Sequence, residues 1–283
     1  MHTPLPAPIV VGVDGSTSAD LALRWAADEA RLRHVPLRLV HVVDSPGPRG
    51  AYGYLTDDVT CFGADLLARA KELIADRQVP ATAAVVCDGA AHGLIRAAAD
   101  ATMLVVGSRG HGGFHDLLLG STSLQTAMHA ACPVAVVRPR AADAGEQGRI
   151  VLGTDGSPRS AAAARVAFEE ARLRRTGLTV VHAWRGSLPE ATAGLSEEDA
   201  YEVKAWMVLN DAIAPWVSRY PDVPVRKVLR RDSAARTLIT ESAGAELVVV
   251  GCRGRGGFAS LVLGSASHAL LHHAACPVVV VHG

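Results

Sequence analysis

Short apolar runs alternate with amphipathic stretches along the chain, and this alternation predicts its elements. "IVVGV" (9–13) is continuously apolar and rich in β-branched residues, which predicts a short strand. "SADLALRWAADEARLRH" follows, with Leu21, Trp25 and Leu32 set among charged positions, and fits an amphipathic helix. "LRLVHVV" predicts a second strand. The turn-rich "DSPGPRGAYGYLTDD" then precedes a helix expected around 60–78. A third strand is expected over 81–86, a third helix over 91–100 and a fourth strand at "MLVVG". A fourth helix over 121–131 and a fifth strand at "PVAVV" (133–137) complete the set. Strands apolar on both faces and separated by helices imply a parallel sheet covered on both sides. The predicted class is α/β, with doubly wound five-stranded sheets.

The pattern occurs twice. Residues 9–43 align without gaps to 150–184, with 17 identities in 35 positions, and 103–139 align to 247–283, with 21 in 37. An internal repeat of this length means two domains of ordinary size. They are expected at 1–140 and 148–283, with the polar "PRAADAGEQGR" (139–149) as linker.

Composition narrows the function classes. Hydrophobic residues make up 49% of the chain and aromatics 4%, so the cores must be built from Ala, Val and Leu. Twenty-eight basic residues balance 28 acidic ones, which argues against a nucleic-acid-binding or membrane-seeking surface. No apolar run is long enough to span a bilayer, and no secretory signal opens the chain. Five cysteines with no CxxC pair form neither a disulfide framework nor a zinc site; a cytoplasmic location is expected.

The candidate chemistry lies in "GSRGHGGFHDLLLGSTS" (107–123), repeated with the same spacing as "GCRGRGGFASLVLGSAS" (251–267). Glycines after a strand let backbone approach a ligand closely. Gly120-Ser121 then delivers the N–H groups of a helix start, which favour anions. Ser121, Thr122 and Ser123 would add hydroxyl donors. Asp14-Gly15-Ser16, and Asp155-Gly156-Ser157 in the repeat, close the first strand of each copy. If strands one and four are neighbours at the switch point, the two features converge. Asp14 would repel phosphate; it would accept from ribose hydroxyls or help hold Mg²⁺ through water. A lone Asp-Gly-Ser would as readily cap the following helix. The glycine loop, present twice, favours the ligand reading. Neither GxxxxGK[ST] nor GxGxxG occurs, which disfavours a P-loop NTPase and an ordinary dinucleotide enzyme.

The spacing G-x2-G-x9-G-S, as Gly107/Gly110/Gly120-Ser121 and Gly251/Gly254/Gly264-Ser265, resembles the ATP-binding motif of the universal stress protein family. "VGVDGS", the "HVV" strand end and "ACPVAVVRP" match the same pattern, so the chain looks like a tandem member. The resemblance implies strand order 3-2-1-4-5 in each copy and ATP as ligand. It places Asp14 and Val42 against ribose and adenine, and Gly107, Arg109, Gly110, Gly120, Ser121, Thr122 and Ser123 around ribose and phosphates. Gly12 and Val13 precede Asp14 in the matched stretch. The second-copy counterparts are Gly153, Thr154, Asp155, Ala183, Gly251, Arg253, Gly254, Gly264, Ser265, Ala266 and Ser267.

The copies are unequal. Thr122 becomes Ala266, which removes a donor; Val43 becomes Trp184, able to stack beside a base or intrude on it; Ser108 becomes Cys252. Both sites are expected to bind, the first being more family-like. Turnover would need a group that orients water, yet no carboxylate recurs within the loop, because Asp116 faces Ser260. Retention of ATP by a stress-response regulatory protein is therefore the expected function; a slow ATPase or phosphotransfer enzyme is the alternative, and the intact Gly and Ser positions of both loops speak against a third reading, a tandem scaffold with vestigial sites. No catalytic residue and no protein-bound metal is assigned. The recurring pairs His129/His273 and His41/His182 read as helix-surface and strand-end residues. The apolar fifth strands would be sheet edges, which invite pairing. Family members generally dimerise through this strand, so an intrachain pseudo-dimer and a possible homodimer are expected, with an unidentified protein partner.

Overall fold

The computed structural model describes residues 6–43, 55–110, 118–139, 148–184, 197–254 and 262–283. The chain divides into two compact units, Met1–Arg138 and Pro139–Gly283.

In the first unit the order is β1 (Ile9–Gly12), α1 (Thr17–Arg33), β2 (Leu37–Val43), α2 (Leu55–Leu73), a 3-10 turn (Ala75–Arg77) and β3 (Ala81–Cys87). It continues through α3 (Ala90–Ala97), β4 (Met103–Gly107), α4 (Ser121–His129) and β5 (Val134–Val137). All pairings are parallel, in the order β3-β2-β1-β4-β5. The second unit repeats the plan with β6 (Arg149–Gly153), α5 (Pro158–Arg174), β7 (Leu178–Ala183), α6 (Glu197–Arg219) and β8 (Val225–Arg230). There follow α7 (Ala234–Ser242), β9 (Ala245–Gly251), α8 (Ser265–His273) and β10 (Val278–Val281), in the order β8-β7-β6-β9-β10. The fold class and strand order are those expected. The chain runs outward from β1 in both directions, so the switch point lies between β1 and β4, and again between β6 and β9.

Local chemistry explains most element ends. α1 begins where the Ser16 hydroxyl accepts from the Ala19 N–H at 3.1 Å, and α5 where Ser157 accepts from Ser160 N–H at 3.2 Å. Both stop at a non-glycine residue in left-handed backbone, His34 (φ 54°) and Arg175 (φ 52°). α4 ends at His129, short of the expected 131, because Ala130 turns to extended backbone. Pro133 has no N–H for the ladder, so β5 starts at Val134, while the Pro133 carbonyl still accepts from Leu104 N–H at 2.9 Å. α2 starts earlier than expected and gives way to the 3-10 turn, which Gln78 closes in left-handed backbone (φ 55°).

The buried face of α1 differs from the sequence expectation. Leu21, Trp25 and Leu32 lie half-buried at its flank, whereas Ala19, Ala22, Leu23, Ala26, Ala27 and Ala30 meet the sheet. Alanines bring a helix axis close to a sheet, and the larger apolar side chains then fill the angle beside it. β4 and β5 are buried along their whole length, as the continuous apolar runs require, while the edge strand β3 is mostly exposed.

Candidate functional site

Each unit's site is built from the Asp-Gly-Ser turn upward. Gly15 (φ 84°) and Gly156 (φ 72°) take a backbone conformation that side chains disfavour, which turns the chain sharply off β1 and β6. Across this turn Asp14 Oδ1 accepts from the Ser16 N–H at 2.9 Å, and Asp155 Oδ1 from Ser157 N–H at 2.9 Å. Helix capping falls to Ser16 and Ser157, which separates the two readings of the aspartate. Its first oxygen closes the turn, and its second lies against the glycine loop. A Cβ on Gly110 would stand 2.5 Å from Asp14 Oδ2, and one on Gly254 would stand 2.9 Å from Asp155 Oδ2. Carboxylate and loop backbone thus meet at the switch point, in both units.

The loop is closed at its base. Gly120 N–H donates to the Ser108 carbonyl at 2.8 Å, and Gly264 N–H to the Cys252 carbonyl at 2.7 Å. Ser108 and Cys252 in turn donate their N–H groups to Val137 and Val281 at the ends of β5 and β10. These bonds hold the Gly-Ser helix start beside the first residues of the loop. Arg109 N–H donates to Ser18 Oγ at 3.2 Å, tying the loop to α1, and Arg253 Nε donates to the Val262 carbonyl at 3.2 Å.

Gly120 and Gly264, the N-cap residues of α4 and α8, lie in ordinary extended backbone, and a Cβ there would meet only ordinary contacts. Their glycine is therefore not a conformational demand. A serine or aspartate at this position would cap its own helix and fill the place an anion would take. Neither helix has a side-chain cap, so the amides of the first turn remain directed at the loop.

Ser123 donates its hydroxyl proton to the buried Gly107 carbonyl at 2.6 Å, and Ser267 donates to the Gly251 carbonyl at 2.7 Å. They fasten α4 to β4 and α8 to β9, and are not open hydroxyl donors. Ser121 and Ser265 are exposed at the helix start, with Thr122 and Ala266 half-buried beside them.

Gly12 and Gly153 end β1 and β6; Gly107 and Gly251 end β4 and β9. Val13 and Thr154 are buried, and each carbonyl accepts from a histidine Nδ1 of the neighbouring strand: His41 at 2.7 Å and His182 at 2.8 Å. The paired histidines, read from sequence as strand-end residues, therefore hold the backbone one step before the aspartate. Ser18 and these histidines are positioning residues that sequence reasoning left without a role. Their only signal was the recurrence of histidine in both copies.

The strand-two end differs between the units in a compensated way. Val42 packs against Gly93 of α3, where a Cβ would stand 2.9 Å from Val42 Cγ1. In the second unit the bulk is exchanged, with Ala183 on the strand and Thr237 on the helix. Trp184 stacks on Tyr201 with ring centroids 5.3 Å apart, and the Arg231 guanidinium lies over the indole at 5.6 Å. Thr154 braces the second turn further, with its hydroxyl 3.1 Å from Ser160 Oγ and accepting from Gly156 N–H at 3.2 Å.

Beside Val42, Asp88 accepts from His92 Nδ1 at 2.8 Å and from Arg96 at 3.1 Å. The bond from His92 holds its carboxyl below the usual range, with help from the Gly89 amide and Arg96. Cys252 is buried, as is Cys132, whose thiol is pushed up by desolvation, while Cys61 and Cys87 are exposed. His111, Gly112, Gly113, His115, Asp116, Arg255, Ala259 and Ser260 lie outside the described residues.

The sequence model of the Universal stress protein family matches residues 7–138 and again residues 147–282. The chain belongs to the universal stress protein family. Its Usp domains are tandem, and each carries one copy of the turn and loop just described. Universal stress protein Rv2005c of Mycobacterium tuberculosis is 38% identical over 283 aligned residues, covering 96% of each chain. Rv2623 of the same species is 36% identical over 287, covering 96% of this chain and 95% of its own. A universal stress protein crystal structure from Archaeoglobus fulgidus DSM 4304 matches with a TM-score of 0.72 at 17% identity. That match covers 97% of this chain and 98% of the other, and shows a shared fold. Among the described residues of this family member, no helix is long and apolar enough to cross a membrane.

Proposed function

We propose that the chain binds ATP at each of its two Usp domains and serves in a stress response by retaining the nucleotide rather than turning it over. The observation that carries this reading is the approach of Asp14 Oδ2 to Gly110 beside an uncapped helix start, repeated at Asp155 and Gly254. A carboxylate and a row of backbone amides at one switch point suit a sugar–phosphate ligand: the aspartate for the ribose hydroxyls, the amides for the phosphates. Mg²⁺ would ride with the phosphates, held by them and by water. The resemblance sets Val42 and Ala183 against the adenine. A cytoplasmic setting, dimer formation by the chain and an unidentified protein partner belong to the same reading.

Calorimetric titration with ATP tests it, with two equivalents per chain as the expected stoichiometry. Gly110→Val places a side chain on Asp14 Oδ2 and is expected to reduce the stoichiometry to one; Gly254→Val should do the same from the other side. A wild-type titration without heat, or a Gly110→Val titration identical to wild type, would remove the reading. Phosphate release followed in the same samples separates retention from slow hydrolysis.

A further inference from the structure

We infer that the outer face of α6 in the second domain is a self-association surface, on which a second copy of this chain lays its own α6 antiparallel. Five large apolar side chains are exposed among the described residues, and three of them, Val203 (52%), Met207 (60%) and Val217 (40%), lie on this one helix. With the exposed Asn210 and Ala214 they form a stripe at intervals of four, three, four and three residues. That is the spacing by which one helix presents a seam to another helix. α6 packs on α5, β7 and β8, with Ala205, Leu209 and Ile213 buried, so the stripe lies on the side turned away from its own domain. α2 of the first domain carries no such seam. With its buried Gly63 and Leu67 matched to Ala205 and Leu209, the stripe positions fall on Cys61, Asp65, Ala68 and Glu72, all exposed. Carboxylates stand there where α6 has Met207 and Ala214.

The stripe complements itself, which points to a second copy as the occupant. A two-fold axis through Asn210 sets the two helices antiparallel. Val203 then lies level with the partner's Val217, each seven residues from the axis. Met207 lies within one residue of level with the partner's Ala214, a large side chain against a small one, as an interdigitating seam requires. Asn210 meets its own copy at the axis. Its carbonyl oxygen accepts from Lys227 Nζ at 2.6 Å, and its NH₂ group can donate across the axis. A single asparagine in an otherwise apolar seam fixes register. From 203 to 217 the seam is about 21 Å long. One helix of that length covers less than the roughly 800 Å² per partner of a standard stable interface. The pair should therefore be weak, with a dissociation constant on the order of 10 μM. The surface shares no residue with the nucleotide site and stands whether or not ATP binds.

Sedimentation equilibrium of the full chain without nucleotide, from about 1 to about 200 μM, tests it. Wild type should rise with concentration from the 29.5 kDa of one chain toward twice that mass. Met207→Glu, an exposed helical change that should keep the thermal midpoint, puts a carboxylate into an apolar layer and should weaken association at least about tenfold. Ala68→Glu, on the exposed face of α2, should leave association unchanged. Adding Ala214→Lys to Met207→Glu sets opposite charges in one layer of an antiparallel pair and should restore association; a parallel pair would instead set like charges in two layers. A wild-type mass of one chain at every concentration, which would leave the stripe to a different protein, overturns the inference. So does a Met207→Glu series that superimposes on wild type, a double variant that associates no better than Met207→Glu alone, or loss of association in Ala68→Glu.

Discussion

At the scale of single residues, the backbone states of His34 and Arg175 are open to direct test. Each closes a helix in left-handed backbone, where a Cβ crowds the following carbonyl. His34→Gly and Arg175→Gly should each stabilise their domain by about 1 kcal/mol, read as an upward shift of the denaturation midpoint at unchanged slope. Asp88 bears on acid stability. Its carboxyl is held down in the folded protein, first by the bond from His92, so the folded state binds a proton less readily than the unfolded chain. The link therefore contributes fully above the ordinary carboxylate pKa and is lost as pH falls through the lowered folded value. His92→Ala should shrink the loss of stability seen on acidification below about pH 4. Thiol reactivity should divide in the same residue-by-residue way. Cys61 and Cys87 are exposed and should label quickly, while burial raises the Cys132 thiol and should slow its reaction.

At the scale of elements, the site depends on fastening helices to strand ends. Ser123 and Ser267 were legible as part of the motif, but their role was not, because a hydroxyl beside a helix start suits a ligand and a carbonyl equally well. In the structure the hydroxyl donates to the Gly107 carbonyl at 2.6 Å. Ser123→Ala would leave that buried carbonyl without its partner and should cost about 1–3 kcal/mol, even with no nucleotide present. A ligand-only role would instead leave apo stability unchanged and alter binding alone. The face of α1 makes a related point. Helical periodicity placed the helix correctly, yet the large residues that defined the stripe sit at the flank and alanines fill the contact. Hydropathy ranks Leu above Ala, whereas close packing on a parallel sheet favours the side chain that lets the backbones approach.

At the scale of the whole molecule, the repeat gives two domains with the same strand order and the same site plan, though not the same site. Val42 with Gly93 in one domain, Ala183 with Thr237 in the other, keep the total bulk while moving it from strand to helix. Trp184, raised from sequence as a possible neighbour of a base, is already engaged by Tyr201 and Arg231. Nucleotide binding at both domains should appear as linkage. At ligand one hundred times its dissociation constant, each domain gains about 2.7 kcal/mol, and Gly254→Val should abolish the gain in the second domain only.

Fold class, the tandem repeat, the parallel sheet and the two glycine loops were determined by the chain itself. Apolar runs, helical periodicity and the ends set by Ser16, Ser157 and Pro133 act over a few residues, and the repeat is visible as spelling. Tertiary structure alone decided which oxygen of Asp14 meets Gly110, which carbonyl Ser123 holds, that His41 supports the turn, and that Val203, Met207 and Val217 stay uncovered on α6. The first three are contacts between residues brought together by the sheet or by the loop closing on itself. Such distances are set by how strands and helices pack, and no periodicity along the chain encodes them. The spacing behind the fourth is written along the helix, but only the packing of α6 on its own sheet decides which side of it faces outward.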